Sequence, residues 1–233
     1  GGQSGAAAQA DVFVAKVDAS TGEVQWLTKI AGTCTKGANQ LAVTPAGDII
    51  LTGFILFPIS PCSVNGVSMA VDHATLLRNF LVRLGSSGNI LATKQLDMHY
   101  VYSLAVTGTE VYIAGERRDP AAPSNIQYAT NKYDLNGVEI PSNWKRVQRA
   151  KALYVDGANI WTVGEFVGSQ DFGAFTLTSA GGKDIFIAQR SAGGEANVAA
   201  SFGGTGDDTG TAVYADASGV YLAGSFGSPT LTL

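Results

Sequence analysis

Short runs in which apolar and polar residues alternate recur along the chain, and glycine-containing turns separate them. One example is DVFVAKVDASTGEVQW, which starts at Asp11, and a weaker copy, DIFIAQRSAGGEANVA, starts at Asp184. Alternation with a period of two predicts half-buried β-strands, and the glycine turns between paired runs predict hairpins. The chain shows no helical periodicity, so the pattern predicts an all-β protein.

A second motif combines a short apolar strand, a tight turn, an alternating strand and a glycine, and it occurs four times. Its copies are LAVTPAGDIILTGF, LAVTGTEVYIAGER, LYVDGANIWTVGEF and VYADASGVYLAGSF, which start at Leu41, Leu104, Leu153 and Val213. We name the two strands of this motif A and B, and the strands of the DVFVAKVD-type hairpin between its copies C and D. The B strands carry the glycines Gly53, Gly115, Gly164 and Gly224.

Four strands per repeat of roughly 40 to 60 residues, with glycine turns, are typical of a propeller blade. We therefore predict a single β-propeller domain over residues 1–233, built from four-stranded blades. A β-sandwich and a β-solenoid are the alternatives, but a sandwich would not repeat this closely and a solenoid coil would be shorter. The predicted repeats span residues 11–39 (a C–D hairpin), 40–103, 104–152, 153–212 and 213–233 (an A–B hairpin).

The chain begins with a C–D hairpin and ends with an A–B hairpin, so its two ends together supply the strands of one blade. If they share that blade, the C strand near Phe13 lies beside the B strand near Tyr221 and the four repeats close as one ring. Closure removes exposed sheet edges, which otherwise favour aggregation. A fragment of a larger propeller and half of a dimeric propeller are the alternatives.

Three segments resemble the bacterial β-propeller repeat family called SBBP: DVFVAKVDASTGEVQW, LTSAGGKDIFIAQ and FGGTGDDTGTAVYADASGVYLAGSF. The resemblance covers most of the chain, is weaker over NIQYATNKYDL, and is interrupted by an insertion between Phe54 and Leu77. It implies a repeat protein that is extracellular or displayed on the bacterial cell surface, with the periplasm as the alternative location.

The composition and charge of the chain exclude some classes of function. Apolar residues make up 45% of the chain and charged residues 15%, with 29 glycines, which is typical of a core-forming protein rich in turns. The net charge of −4 gives no positive field for a phosphate backbone, so we predict no nucleic-acid partner. No run approaches the ~20 apolar residues of a membrane helix, and residues 1–10 carry no signal-peptide pattern, so any targeting signal is expected upstream.

Loop lengths predict where a ligand binds. In a four-stranded blade the A–B and C–D turns share one rim, and the B–C and D–A connections share the other. The first set is short, whereas the B–C connections are predicted to be long, over residues 54–79, 117–128 and 165–183. Because rigid scaffolds commonly bind through variable loops, we predict that this long-loop face binds a protein or a carbohydrate. Its candidate ligand-binding residues are Asp207, Asp208, Asn39, Arg117 and Arg118.

The two aspartates lie in the segment GGTGDDTG, which has two interpretations. Their carboxylates suit a calcium ion or the hydroxyls of a sugar. The spaced D-x-D-x-D-G loop of a calcium site is absent, however, and an Asp-rich turn that caps its own backbone is the alternative. The basic run WKRVQRAK, which ends at Lys151, has two interpretations: it steers an anionic partner, or it is a solvated face on an outer strand, and we favour the solvated face.

The two cysteines of the chain are predicted to meet. Cys34 lies in the D–A connection AGTCTKGAN, and Cys62 lies in the B–C insertion FPISPCSVNG of the adjoining blade. Both therefore fall on the long-loop face, close together, and we predict a disulfide, with two free thiols as the alternative. A disulfide would support an oxidising compartment.

No stretch of the chain carries a catalytic signature. His73 and His99 are the only histidines, and neither has a Cys or acidic partner at metal-binding spacing, so we assign no metal ligand and no catalytic residue. We predict a binding scaffold without a cofactor. The alternative is a propeller enzyme of the quinoprotein or polysaccharide lyase type, with its site at the channel mouth. Only DASTGEVQW resembles the repeat of quinone-cofactor propellers, and we interpret its Trp26 as a D-strand aromatic.

Overall fold

The computed structural model describes residues 10–56, 62–70, 77–119, 122–141 and 149–230, and over these ranges the chain is all-β, as predicted. In chain order the strands are β1 (Val12–Val17), β2 (Val24–Ile30), β3 (Lys36–Val43), β4 (Ile49–Leu56), β5 (Cys62–Val64), β6 (Val67–Met69), β7 (Leu77–Leu84), β8 (Ile90–Leu96), β9 (Tyr100–Val106), β10 (Glu110–Asp119), β11 (Ala122–Asp134), β12 (Arg149–Asp156), β13 (Asn159–Phe166), β14 (Ser169–Asp171), β15 (Thr176–Thr178), β16 (Asp184–Arg190), β17 (Ala196–Phe202), β18 (Asp208–Asp216) and β19 (Gly219–Phe226).

The described strands pair antiparallel and form seven sheets, of which two have four strands, one has three and four have two. The four-stranded sheets have the orders β3-β4-β7-β8 and β12-β13-β16-β17, which are A, B, C and D in chain order. The small hairpins β5–β6 and β14–β15 lie within the B–C connections of these sheets. The hairpins β1–β2 and β18–β19 stand at the two ends of the described chain.

The three-stranded sheet, β11-β10-β9, differs from the prediction in its B–C connection. Strands β10 and β11 stay paired beyond Arg117 as far as Asp119 and Ala122, so the long loop predicted over residues 117–128 is wrong. The extension includes charged and amide side chains, which sequence patterns do not assign to strands. These residues still pair, because strand formation depends on the neighbouring strand more than on residue type. Residues 142–144 of the predicted D strand lie outside the described residues.

Each A strand carries one β-bulge opposite the glycine of its B strand. The pairing of β3 with β4 skips Asn39, and the same irregularity recurs in β9, β12 and β18. The glycine is required at this point, because a Cβ at Gly164 would lie 1.9 Å from the carbonyl oxygen of Arg149. The four bulged residues are Asn39, Tyr102, Lys151 and Thr211.

The bulges also explain why the A strands begin earlier than predicted. Strand β3 starts at Lys36, whereas the sequence predicted a start at Leu41. A bulge inserts one residue and moves the period-two alternation to the other face, so the part of the strand before the bulge does not continue the apolar pattern. The predicted repeat boundaries therefore fall inside β3, β9, β12 and β18.

The core lies between successive sheets, which pack in the order of the sequence. Val12, Val14 and Ile30 of the first hairpin share a buried cluster with Phe80 in the first four-stranded sheet. Further clusters lie between this sheet and the three-stranded sheet, and between the three-stranded sheet and the second four-stranded sheet. The A strands β3, β9, β12 and β18 consequently pack side by side in that order.

The two end hairpins do not share a sheet. Strand β1 pairs with β2 and β19 pairs with β18, so the strand near Phe13 and the strand near Tyr221 are not paired as a closed ring would require. Each hairpin packs instead against its neighbour in sequence: β1–β2 against the first four-stranded sheet, and β18–β19 against the second. Three sheets therefore separate the hairpins, and β19 is exposed along nearly its whole length.

Candidate functional site

The predicted disulfide between Cys34 and Cys62 is present, with the two Cα atoms 5.4 Å apart and both residues buried. Cys34 lies between β2 and β3, and Cys62 is the first residue of β5 in the insertion that follows β4. Main-chain contacts run beside the bond, since the Thr33 N–H donates to the Ser63 carbonyl at 3.1 Å. The bond therefore fixes the insertion onto the connection that leads into the first A strand.

Replacing both cysteines by alanine is expected to lower the free energy of unfolding by about 3 kcal/mol, because the bond restricts the unfolded chain over a long loop. Urea titration of the Cys34→Ala/Cys62→Ala variant beside the wild type measures this difference. Alkylation of the denatured, unreduced wild type should add no mass, since both thiols are oxidised. Two alkylated thiols, or an unchanged unfolding midpoint, would contradict the prediction.

Asp208 is the first residue of β18 and is fully buried, with both carboxylate oxygens bonded inside the protein. Its Oδ1 accepts the Gly227 N–H at 2.9 Å, and its Oδ2 accepts the Gly204 N–H at 3.0 Å and the Ser228 hydroxyl at 2.7 Å. Burial acts to raise the pKa of Asp208, but these hydrogen bonds outweigh it and lower the pKa below its ordinary value. Asp208 thus ties the connection before β18 to the chain after β19, as in the turn-capping alternative.

Asp207 and Asn39 lie far apart in the order of the sheets. The exposed Asp207 accepts the Lys183 N–H at 3.0 Å, just before β18. Asn39 is the bulged residue of β3, where its amide donates to the Asn79 side-chain oxygen at 3.0 Å. Strands β9 and β12 stand between β3 and β18, so these two candidates do not form a common site.

Arg117 and Arg118 lie in strand β10 and not in a loop. The Arg117 guanidinium contacts the Asp97 carboxylate at 2.8 Å and the Glu139 carboxylate at 3.4 Å, which joins the chain after β8 to the chain after β11. Arg118 stands opposite Ile126 in the β10–β11 pair. The five residues predicted from sequence are therefore spread over the molecule and do not make one cluster.

A set of charged and aromatic side chains that the sequence did not predict surrounds Arg149, the first residue of β12. Its Nη1 donates to Glu165 Oε1 at 2.8 Å, and its Nη2 lies 3.3 Å from the Tyr102 hydroxyl and 3.8 Å from Glu116 Oε1. The guanidinium also lies over the rings of Tyr102 and Tyr128, 5.6 Å and 4.9 Å from their centroids. Arg149 thus joins the three-stranded sheet to the second four-stranded sheet.

Three more residues complete this set. The Thr209 hydroxyl donates to Glu165 Oε2 at 2.6 Å, and the Lys183 ammonium lies 3.6 Å from Glu165 Oε1. The Lys151 ammonium lies 5.2 Å from the centroid of the Tyr102 ring. We name the whole set the Arg149 cluster: Tyr102, Glu116, Tyr128, Arg149, Lys151, Glu165, Lys183 and Thr209.

The repeat itself places four of these side chains. Tyr102 and Lys151 are the bulged residues of β9 and β12, and a bulge re-aims the side chain that it carries. Glu116 and Glu165 each follow the B-strand glycine, and both are buried. Two neighbouring repeats therefore contribute the same two positions to one cluster.

Burial and hydrogen bonds shift the pKa values of Tyr102 and Glu165 in the cluster. Burial raises the pKa of Tyr102 to about 12, and its hydrogen bond to Glu116 adds to the rise. Burial also acts to raise the pKa of Glu165, but hydrogen bonds from Thr209 and Arg149 outweigh it and lower the pKa. Near neutral pH the cluster therefore holds a protonated phenol, an ionised carboxylate and fixed cations side by side.

The interpretation of WKRVQRAK as a solvated face on an outer strand is wrong for the part that the structure describes. Arg149 and Lys151 lie in β12, the first strand of its sheet, and Arg149 contacts two buried glutamates. Lys145 and Arg146 lie outside the described residues. One feature of the sequence could have indicated the Arg149 cluster. A glutamate follows the B-strand glycine in two consecutive repeats, in AGER and VGEF.

Neither a metal cluster nor a spanning helix occurs in the described ranges. There, no group of three or more His, Cys, Asp or Glu side chains is placed to hold a metal ion. His99 lies between β8 and β9, and His73 lies outside the described residues. Across the same ranges, no helix has the length and apolar character that crossing a membrane requires.

Comparison with known proteins gives no match, either among protein-family models or among curated proteins. The resemblance to SBBP repeats therefore stays a prediction, based on the three segments quoted above.

Proposed function

We propose that this chain is a β-propeller scaffold, secreted or displayed at the bacterial cell surface, that binds a glycan through its long-loop face. The Arg149 cluster carries the proposal. It sets ionised and hydrogen-bonding groups beside two tyrosine rings, and sites for polar ligands combine aromatic surface with a few fixed polar groups. The cluster is built on strands, which hold such groups more precisely than loops do.

The place of the cluster in the repeat supports a site on the long-loop face. Arg149 is the first residue of an A strand, next to the D–A connection, and Glu165 is the second-last residue of a B strand, next to the B–C connection. These are the two connections that share the long-loop face in a propeller blade. The β14–β15 hairpin, which begins at Ser169, lies in the B–C connection that follows β13.

Two further observations support the propeller and its location. Two sheets run A-B-C-D in chain order, and every A strand repeats the same bulge opposite the same glycine, as expected of equivalent blades. The buried disulfide between Cys34 and Cys62 favours an oxidising compartment, which suits a protein exported from the cytoplasm.

The charge states favour binding over catalysis by the same groups. A general acid needs a carboxyl with a raised pKa, whereas the pKa of Glu165 is lowered and its oxygens are bonded to Arg149 and Thr209. Such a carboxylate does not deliver a proton near neutral pH. Ligand recognition is therefore the chemistry that the cluster suits best.

A glycan array probed with the purified chain, followed by titration of the best-bound glycan, tests the proposal. Lys151→Met is expected to weaken that binding at least about tenfold, because it removes a charged donor beside the Tyr102 ring. Lys94→Met is the matched control, since Lys94 is an exposed residue of β8 outside the cluster.

Binding of no glycan on the array would overturn the proposed function. An equal loss of affinity in Lys151→Met and Lys94→Met would place the glycan site elsewhere on the chain. Selective loss in Lys151→Met, with unchanged unfolding midpoints for both variants, is the supporting result.

A further inference from the structure

The two four-stranded sheets show how a B strand and a C strand meet in this molecule. In both, the B-strand glycine stands opposite a phenylalanine: Gly53 pairs with Phe80, and Gly164 pairs with Phe186. Both rings are buried, at 0% and 1% exposure. The glycine makes room for the ring, since a Cβ at Gly53 would lie 2.4 Å from Cζ of Phe80. The B and C strands therefore pair in the same register in both four-stranded sheets.

Each end hairpin carries one half of this arrangement. The β18–β19 hairpin has the A-strand bulge and the B-strand glycine, Gly224, but no described C strand lies beside β19. The β1–β2 hairpin has the bulge of the C–D hairpins and places Phe13 where the complete sheets have their buried phenylalanine. Phe13 is 66% exposed. In the described part of the chain, the β18–β19 hairpin therefore lacks a C–D partner, and the β1–β2 hairpin lacks an A–B partner.

A second pair of side chains is divided between the two ends in the same way. The A-strand leucine of one repeat shares a buried cluster with a B-strand side chain of the preceding repeat, as Leu153 does with Tyr112. One repeat earlier, Leu104 and Ile50 share a second buried cluster in the same way. The equivalent residues at the ends of the chain are Leu41 in β3 and Tyr221 in β19, which are 53% and 55% exposed.

A groove of about 270 Å³ lies beside β3, at the place where a preceding A–B hairpin belongs. It is apolar for most of its length, and its lining includes Val14, Trp26, Leu41, Val43 and Ile49. Strands β9, β12 and β18 each pack beside the preceding A strand, whereas among the described strands β3 packs on that side against the β1–β2 hairpin. On the equivalent side, β9, β12 and β18 each contact the A and B strands of the preceding repeat.

We infer that β19 of one molecule pairs with β1 of a second copy of this chain, forming a composite sheet with the order β18-β19-β1-β2. The register of the complete sheets places Gly224 opposite Phe13 and Tyr221 opposite Lys16. The same register places Tyr221 of one molecule over Leu41 of the second copy. The second copy is the occupant because the complementary hairpins belong to one sequence but do not pair with each other among the described strands of one molecule. Reciprocal pairing of both hairpins closes a two-fold dimer in which neither β19 nor β1 is left unpaired at an edge.

Engineered cysteines test the register and the partner together. Leu222 and Ala15 come opposite each other in the inferred register, as Leu51 and Val82 do in the first four-stranded sheet. Mixing the single variants Leu222→Cys and Ala15→Cys under mild oxidation should give a disulfide-linked dimer on a non-reducing gel. The chain has no other free thiol to compete. The mismatched control, Ser218→Cys mixed with Ala15→Cys, should not cross-link.

No cross-linking in the Leu222→Cys and Ala15→Cys mixture would overturn the inference. A double variant that links only within one molecule would also overturn it, because the chain would then close on itself. Cross-linking between molecules, absent from the mismatched mixture, is the supporting outcome.

Light scattering tests the dimer without engineered bonds, and the wild type should have twice the 24.1 kDa mass of one chain. Phe13→Asp places a charge in the composite sheet and should weaken dimerisation at least about 100-fold. Val24→Asp is the matched control, because Val24 is 62% exposed but lies on β2 away from the pairing edge. A wild type that stays at 24.1 kDa, or equal dimerisation of the two variants, would contradict the inference.

Discussion

Replacing Gly164 with alanine is expected to lower the free energy of unfolding by about 4 kcal/mol, because the new Cβ overlaps backbone atoms. It would lie 1.9 Å from the Arg149 carbonyl oxygen and 2.9 Å from the Ala150 Cα. Neither atom belongs to a side chain that can rotate away, so β12 and β13 must separate at the bulge. Urea denaturation followed by circular dichroism measures the loss.

Gly108→Ala is the matched control, since a Cβ at Gly108 meets no atom within 4 Å. Its unfolding free energy should change by less than about 0.5 kcal/mol. Gly115→Ala should behave like Gly164→Ala, because a Cβ there would lie 1.9 Å from the Tyr100 carbonyl oxygen. If Gly164→Ala were as stable as Gly108→Ala, the bulge would not require a glycine.

The B-strand glycines show which part of the fold the sequence predicts well. Gly53, Gly115, Gly164 and Gly224 recur with the alternating strands around them, and these strands form as predicted. The A strands were predicted too short because the bulged residue, such as Asn39, shifts the alternation within the strand. The β10–β11 extension was missed because main-chain pairing alone leaves no apolar pattern in the side chains.

The candidate site was harder to predict than the fold. The contact of Arg149 with Tyr102 spans 47 residues, and that of Thr209 with Glu165 spans 44. Periodicity indicates which face of a strand a residue occupies, but not which side chain of the next sheet it meets. The disulfide was predictable because the strand order inferred from the repeats places Cys34 before the first A strand and Cys62 after the B strand paired with it.

Replacing Arg149 with methionine should lower the free energy of unfolding by about 4 kcal/mol at pH 7, because two carboxylates lose their shared counter-ion. The side chains of Glu165 and Glu116 are 7% and 9% exposed, so water cannot fully take over that role. Methionine keeps part of the packing against the tyrosine rings, which isolates the loss of charge. Urea denaturation at pH 7 measures the effect.

Lys183→Met is the matched control for the loss of a cation near the same carboxylate. The Lys183 side chain is 40% exposed and its ammonium lies 3.6 Å from Glu165, so its removal should cost less than about 1 kcal/mol. The double variant Arg149→Met/Glu165→Gln should recover part of the stability, because the amide carries no charge to be left buried. No recovery would indicate that Glu165 does not carry the penalty.

Acidification should reduce the difference between Arg149→Met and the wild type. In the wild type the pKa of Glu165 is lowered, so its contribution is present above its unfolded pKa of about 4.3 and is lost as the pH falls through the folded pKa. Without Arg149, burial is less opposed and the pKa of Glu165 rises, so protonation stabilises the variant relative to pH 7. The difference in unfolding free energy should therefore be largest near neutral pH and should shrink below about pH 4. A difference that does not change with pH would instead assign the loss to packing around Tyr102 and Tyr128.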